Sequence, residues 1–335
     1  MRATRWYPIR LTVTVVVAGL AVTLLVWPQL FGAQRALILS QVVAFRAPTA
    51  IALCVGAVLF ASIACGKRSW GVAAGLAVVL GAGSIASGGI LLGRGAADGQ
   101  PVRGEVTVVV WNTQGGAARP ADVARLVHDV DADIVSLPEM DERAAAEVAR
   151  ILATDGHGMA AHTSHGETGY SEIPTSVLIA DGMGVYEVDR AAGSTPGLPS
   201  VVLRPVGGDG PTVVAAHPFP PLPWRMDAWR AGLEWVANQC DSPDVIVAGD
   251  LNATADHLWG LGDGDGLIGS CADASLNAGT AAVGTWPVSA PPWLASPIDH
   301  VLAGKAWSVR GASAVTSFDD AGSDHRPIVA ELDRR

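Results

Sequence analysis

Acidic, amide and imidazole side chains recur at the ends of apolar runs along the last two thirds of this chain. Asn112 follows VVVW, and Glu139 follows IVSLP. His217 follows TVVAA, while Asp250 and Asn252 follow DVIVAG within GDLN. Asp299 and His300 open the run IDHVLAG, and Ser323, Asp324 and His325 stand directly before PIVAEL. Carboxylates, amides and imidazoles of this kind suit the hydrolysis of a phosphate ester or anhydride. Such bonds resist attack because their oxygens repel a nucleophile and the leaving group departs as an anion, charges that a hard divalent cation neutralises. Glu139 and Asp324 offer oxygen ligands, with Asn112 alongside. An oxygen-rich set with no cysteine favours Mg2+ or Mn2+ over zinc. Asp250 is suited to deprotonate an attacking water. Asn252 can donate to a phosphoryl oxygen, and His325 can hold the phosphoryl group with Asp299 fixing its tautomer. His217 can donate a further hydrogen bond or protonate the leaving group. The residues alone leave open which of Asp250 and His325 is the base.

Each residue also has a structural reading. Asn112 can end a strand, and Glu139 can be a first-turn acid of a helix. Asp250 and Asn252 can cap a helix starting near Ala253. His217 before Pro218 can be a turn residue, His300 a packed core histidine, and Asp324–His325 an ordinary loop pair. The set is more informative than its members.

The elements that must position these residues follow from periodicity. EVTVVVW, DIVSL, TSVLIA, SVVLR, TVVAA, DVIVAG, IDHVLAG and PIVAEL read as strands. ARPADVARLVHDV, DERAAAEVARILA and WRMDAWRAGLEWVANQ read as helices. Interspersed strands and helices of this kind predict an α/β sandwich on mixed or largely antiparallel sheets.

The first hundred residues differ in kind. Half of the 335-residue chain is hydrophobic, and the excess lies here in long uncharged runs. Residues 11–27, 49–65 and 71–92 each approach the roughly 20 apolar residues a membrane-spanning helix needs. A cleaved signal peptide is disfavoured for the first run, because no clear cleavage site follows it. ALILSQVVAF, bracketed by Arg35 and Arg46, is too short to cross and reads as interfacial or re-entrant. Arg2, Arg5 and Arg10 precede the first run, and Lys67 and Arg68 lie between the second and third. The positive-inside rule then places the N-terminus in the cytoplasm and the C-terminal domain outside, against which stand Arg35 and Arg46. This is a multi-pass plasma-membrane arrangement: a transmembrane region over 1–92, a Gly-rich linker over 93–104, and one domain over 105–335.

Charge divides the chain in the same way. Residues 1–100 carry 8 Lys or Arg and one acid, Asp98; residues 101–335 therefore carry 22 − 8 = 14 basic and 32 − 1 = 31 acidic residues, a net of −17. A nucleic-acid backbone binder is normally basic, so this balance argues against one. Cys54 and Cys65 lie within the second span. Cys240 and Cys271 admit a disulfide if the domain is extracytoplasmic, or two buried thiols otherwise.

Taken in order, WN at 111–112, LPE at 137–139, His217, GDLN at 249–252, IDH at 298–300 and SDH at 323–325 resemble the endonuclease/exonuclease/phosphatase superfamily of DNase I-like proteins. LPE stands where that family often has LQE. The resemblance implies a four-layer α/β sandwich, with two mixed sheets face to face and helices outside. It also implies the roles given above: Asn112, Glu139 and Asp324 toward metal, and His217, Asp250, Asn252, Asp299 and His325 in catalysis. The three spans, and GTWP before IDH, look like the VanJ-type membrane proteins of actinobacteria, associated with teicoplanin resistance and undecaprenyl-pyrophosphate hydrolysis. The expectation is a membrane-embedded, Mg2+- or Mn2+-dependent phosphohydrolase acting on a lipid or small phosphorylated substrate, with Trp224, Trp229, Trp286 and Trp293 either packed in the core or forming a membrane-facing rim. The alternative is an extracytoplasmic metal-dependent nuclease or sphingomyelinase-like phosphodiesterase.

Overall fold

A computed structural model describes residues 7–66, 70–96, 102–164 and 173–335. Arg2, Arg5, Lys67, Arg68 and part of the linker lie outside these residues. The chain divides into two units, Met1–Gly93 and Arg94–Arg335, each taken separately below.

The first unit holds helices α1 (Tyr7–Val26), α2 (Leu39–Ala44), α3 (Arg46–Gly66) and α4 (Trp70–Arg94). Segments Pro8–Val26, Arg46–Gly66 and Gly71–Arg94 are long and apolar enough to cross a membrane. Their faces are apolar all round, with Val13, Val17, Leu20, Val58 and Ile85 exposed, as expected of helices solvated by lipid rather than water. Small residues let them approach: a Cβ at Gly83 would lie 2.4 Å from Val22 Cγ1. The short segment read from sequence as interfacial or re-entrant forms the six-residue α2. Arg46, read as a loop charge, instead begins α3 and is buried, donating Nη1 to the Val26 carbonyl at 3.0 Å. That bond satisfies one of the carbonyls a helix C-terminus leaves unpaired.

The second unit follows the path β1 (Val106–Val110), α5 (Pro120–Val130), β2 (Ile134–Pro138), α6 (Glu142–Thr154), β3 (Met159–Ser164), β4 (Thr175–Ala180), β5 (Tyr186–Val188), β6 (Val201–Pro205), β7 (Thr212–Ala216), α7 (Met226–Gln239) and β8 (Val245–Asp250). It continues through α8 (Ala255–Leu258), β9 (Leu261–Gly262), β10 (Ile268–Gly269), β11 (Ala272–Asp273), α9 (Ala274–Ala278), β12 (Asp299–Ala303), β13 (Trp307–Ala314) and β14 (Ile328–Arg334). Two six-stranded sheets result, in the orders β13-β14-β1-β2-β4-β3 and β11-β12-β8-β7-β6-β5.

Alternation along the strands assembles the layers. Val108 and Val110 of β1 face Leu203, Val213, Ile246 and Val301 of the other sheet, while Val109 faces the α5–α6 side with Leu126 and Val148. Val214 and Val247 face Trp229 and Leu233 of α7. The fold is therefore helix, sheet, sheet, helix, the expected four-layer sandwich. All the strands and helices expected from periodicity are present. Sequence periodicity passed over β3, β5, β9, β10, β11 and β13. Of these, β3, β5, β11 and β13 are the edges of the six-stranded sheets, and β9 and β10 form a separate two-stranded sheet of two residues each. An edge strand has fewer buried neighbours, so its apolar alternation is weak; β3 reads MAAHTS, and β13 carries an irregularity between Val309 and Gly311.

Strand direction places the polar residues. Each sheet has a parallel pair at its centre, β1 with β2 and β7 with β8. An antiparallel neighbour returns beside each pair, β14 beside β1 and β12 beside β8. The C-terminal ends of four strands and the N-terminal ends of two therefore lie at one edge of the sandwich. Asp299 is paired with Asp250, and Ile328 with Val110, at that edge. The Ser136 hydroxyl on β2 donates to the Ala248 carbonyl on β8 at 2.8 Å, tying the sheets together beneath it. Gly249 is needed for the close approach of β8 to β7, since a Cβ there would sit 1.9 Å from the Ala216 carbonyl oxygen.

Candidate active site

Six strand ends deliver a connected set of side chains. The Asn112 amide, just past β1, donates Nδ2 to Glu139 Oε1 at 3.1 Å and to Asp250 Oδ2 at 3.0 Å. His325 Nε2 lies 3.7 Å from that same Asp250 oxygen and 3.9 Å from Asp324 Oδ1. His325 Nδ1 meets Asp299 Oδ2 at 2.9 Å. His217 Nε2 stands 3.9 Å from Glu139 Oε1 and 4.0 Å from Asp250 Oδ2. Asn252 donates its backbone N–H to Asp250 Oδ1 at 2.8 Å and its side-chain Nδ2 to the Pro218 carbonyl at 3.1 Å, beside His217. All eight residues singled out in the sequence thus belong to one site.

The helix-capping readings do not hold. The helix after GDLN is α8, and its N-cap is Thr254. The helix after LPE is capped by the Asp141 side chain, leaving Glu139 outside it. Gln114, Glu139 and Asn252 adopt φ of 51°, 64° and 48°. Non-glycine residues occupy this region rarely and at a cost, which here turns their side chains and N–H groups into the site. His300 keeps its structural reading. It is buried, with Nδ1 2.6 Å from Asp273 Oδ2 and Nε2 2.7 Å from the Ala253 carbonyl. Trp229 is likewise core.

Several further participants received no role at the site from the sequence. Trp286 Nε1 donates to Asp324 Oδ2 at 2.9 Å. The Gln114 side-chain oxygen accepts the Asp324 N–H, and the Ser323 hydroxyl donates to the Asn112 carbonyl at 2.6 Å. Trp111 donates Nε1 to the His325 carbonyl. Arg326 is buried and donates to Asp319 and to the Gly284, Val288 and Ala290 carbonyls, fastening the Trp286 loop to the Asp324–His325 strand entry. GTWP was the one clue to Trp286, but its contact spans 38 residues.

Electrostatics separate the roles. Burial pushes the Asp250 carboxyl up to about 7; the Asp299 charge acts in the same sense, and His325, the Asn252 N–H and the Asn112 amide oppose it. Burial alone would depress the His325 imidazole, but the Asp299 and Asp250 charges and the bond to Asp299 outweigh it and raise it to about 9. Burial and the nearby His325 charge push His217 down to about 3. At neutral pH His325 is an imidazolium and His217 a neutral imidazole.

Four carboxylates, Glu139, Asp250, Asp299 and Asp324, face one imidazolium. Among the described residues no Lys or Arg pairs with any of them. Burial, with the neighbouring Asp299 charge, raises the Asp250 carboxyl, and the gathering of four carboxylates around one imidazolium is a donor set that fits a hard divalent cation. Among the described residues, Asp250, Asp299 and His325 present ligand atoms within 4.8 Å of one another. This differs from the expected trio of Asn112, Glu139 and Asp324. In the compact set, Asp299 and His325 are already bonded to each other, whereas Glu139 and Asp324 are the more solvent-accessible carboxylates, with side chains 25% and 36% exposed.

The chain belongs to the endonuclease/exonuclease/phosphatase family, whose sequence profile matches residues 109–325. Members of this family are generally divalent-metal-dependent hydrolases of phosphoesters. In the solved structures it is similar to an endonuclease/exonuclease/phosphatase from Beutenbergia cavernae DSM 12333, at 18% identity, a TM-score of 0.51, and coverage of 68% of this chain and 71% of that one. It is also similar to D. rerio TDP2 humanized by 14 mutations, at 17% identity, TM-score 0.50, and coverage of 68% and 98%. A third is the endonuclease/exonuclease/phosphatase from Bacteroides vulgatus, at 15% identity, TM-score 0.50, and coverage of 69% and 99%. At these identities the likeness is one of fold. Comparison with curated protein sequences found no match.

Proposed function

We propose that this protein is a membrane-anchored, divalent-metal-dependent phosphohydrolase acting on a lipid phosphate or pyrophosphate, of prenyl type, at the outer membrane face. The observation that carries the reading is a phosphoesterase site of four carboxylates and an imidazolium on a chain with three helices able to cross a membrane. Tethering raises the effective concentration of lipid head groups at the site. The Cys240–Cys271 disulfide supports an extracytoplasmic domain, because such bonds persist mainly in oxidising compartments. The net charge of −17 over 101–335 disfavours a polyanionic nucleic acid.

Mg2+ or Mn2+, held by Glu139 and Asp324 with Asn112 alongside, would neutralise the phosphoryl oxygens and the leaving oxygen. Asp250 takes a proton from water as the water oxygen bonds to phosphorus. Its raised carboxyl makes it a more effective base near neutral pH than an ordinary aspartate. His325, an imidazolium oriented by Asp299, holds a phosphoryl oxygen. His217 is neutral, so it is better suited to donate a hydrogen bond than to protonate the leaving group. The Asn252 backbone N–H keeps Asp250 oriented. For a pyrophosphate, the bond between the bridging oxygen and the attacked phosphorus breaks, releasing inorganic phosphate and a lipid monophosphate.

Full-length protein in Mg2+ should release phosphate from a prenyl pyrophosphate in vesicles and leave plasmid DNA intact. Efficient plasmid cleavage with no lipid phosphate hydrolysed would establish the nuclease reading instead. Glu139→Gln should abolish Mg2+-dependent hydrolysis and remove the Mg2+-induced rise in melting temperature, while the metal-free melting temperature stays nearly unchanged; wild-type activity would remove Glu139 from the metal. Trp286→Phe removes the indole donor to Asp324 and should weaken Mn2+ binding while leaving the fold intact, read by metal titration followed by electron paramagnetic resonance. For orientation, a phosphatase reporter fused after Arg335 should be active outside the cytoplasm and a fluorescent-protein fusion there dark. The reverse pattern would place the domain inside.

A further inference from the structure

Two loops leave the site edge with a shared and unusual composition. The first, His217-Pro-Phe-Pro-Pro-Leu-Pro-Trp224, follows β7; the second spans residues 284–298 (GTWPVSAPPWLASPI) and precedes β12. Neither holds an Asp, Glu, Lys or Arg, although residues 101–335 carry a net charge of −17. Both touch the site, Pro218 through its carbonyl to Asn252 and Trp286 through its indole to Asp324. Both are studded with proline, and both carry a tryptophan held in water: Trp224 is 75% exposed and Trp293 57% exposed, with Leu222 at 38% beside the first. Immediately after Trp224, Arg225 lays its guanidinium over the Phe219 ring at 4.8 Å.

We infer that these loops are a bilayer-docking surface: Trp224 and Trp293 enter the lipid head-group region on either side of the active site and seat its mouth on the membrane. The inference rests on the membrane-anchored reading given above, and the occupant follows from three observations. Spans in the same chain hold this unit near a bilayer whatever its own affinity. An acidic unit is repelled by an anionic surface, so it can approach only through an uncharged face, and these loops provide one at the site edge. Tryptophan, amphipathic and bulky, is the side chain most favoured at a membrane–water interface. Proline-rich loops lose little conformational entropy on docking. A basic Arg225 at the rim of the first loop suits a lipid phosphate.

The sandwich supplies an internal control. β6 runs antiparallel to β7, so Val206, just past the end of β6, lies at the opposite edge; it is 55% exposed and apolar. Full-length protein carrying Cys54→Ala and Cys65→Ala, with the disulfide intact, should be given one further cysteine by Trp224→Cys, Trp293→Cys or Val206→Cys and spin-labelled. In vesicles of equal parts phosphatidylcholine and phosphatidylglycerol, labels at 224 and 293 should collide more with oxygen than with a water-soluble nickel complex, and the label at 206 the reverse. Labels at 224 and 293 that report water as at 206 would overturn the inference. So would label–label broadening that survives dilution of the protein in lipid, which would make the occupant a second copy. A Trp224→Ser/Trp293→Ser variant should keep hydrolysis of a soluble phosphate ester while hydrolysis of the vesicle-borne lipid phosphate falls roughly tenfold or more, a change of about 1.4 kcal/mol; Phe at both positions should restore most of it. Immersed labels with no lipid phosphate hydrolysed would sink the substrate reading and leave docking standing. Lipid hydrolysis with labels in water would do the opposite.

Discussion

Replacing Asp250 with Asn should lower kcat by about 10²–10⁴-fold, the usual worth of a positioned general base, while raising the melting temperature of the metal-free protein. The two effects share a cause. Asp250 is buried beside Asp299, and burial holds its carboxyl at about 7. The folded state therefore keeps a proton that the unfolded state releases at the ordinary aspartate value. Between that value and about 7 the folded state binds more protons, so stability falls as pH rises through this window. His325 adds to the trend from a different position. Its folded value of about 9 exceeds the ordinary histidine value, so its stabilising contribution is complete below about 6.5 and lost as pH rises toward 9. His217 acts in the opposite sense at acidic pH, because its folded value of about 3 lies below the ordinary histidine value and its contribution is lost as pH falls below about 6.5. Wild-type protein in chelator should therefore hold a nearly level melting temperature at mildly acidic pH and melt at progressively lower temperature from about pH 6.5 toward 9. The Asp250→Asn substitution should turn the level acidic part into a rise with pH, and Mg2+ should offset the alkaline decline in wild type. A wild-type melting temperature in chelator that rises across this range, or an Asp250→Asn variant retaining full kcat, would remove Asp250 from the role of buried base.

Removing the disulfide should have the largest effect on stability. Cys240 closes α7 and Cys271 follows β10, with a sequence separation of 31 and both sulfurs in the core beside Trp229 and Leu233. Cross-linking a loop of this length constrains the unfolded chain by about 3–4 kcal/mol in the chain-entropy description. Cys240→Ser/Cys271→Ser should lose that much, plus the cost of burying two hydroxyls where sulfurs packed. Cys240→Ala/Cys271→Ala separates the terms, because it removes the cross-link without adding polar groups. Chemical denaturation in dodecylmaltoside should show both variants unfolding earlier than wild type, with the serine pair earlier than the alanine pair. Unchanged midpoints in every variant would mean that the thiols are not paired in the native protein.

Much of this molecule could be read along the chain. Three uncharged runs announced three long helices, because a helix apolar on every face shows as one unbroken run that no amphipathic pattern dilutes. The buried strands β1, β2, β7 and β8 were legible for a related reason: covered on both sides, they are mostly apolar, dominated by valine, isoleucine, leucine and alanine. The site residues stood out because each sits where such a run stops. The edge strands β3, β5 and β13 were not legible, since half of their environment is water.

Local sequence determined which side chains are available for chemistry, and the tertiary structure decided which of them meet. Asn112 reaches Asp250 across 138 residues, and Trp111 reaches the His325 carbonyl across 214. Those contacts depend on the order and direction of strands in two sheets, which hydrophobic periodicity does not encode, because it reports burial and not partner. Pairing of Cys240 with Cys271, left open by cysteine count alone, was decided by the seat of β10 against α7. The charge on His325 was decided in the same way. An imidazole takes its protonation state from the carboxylates around it, and Asp299 and Asp250 arrive there only when β12 and β8 pair at one edge of the sandwich.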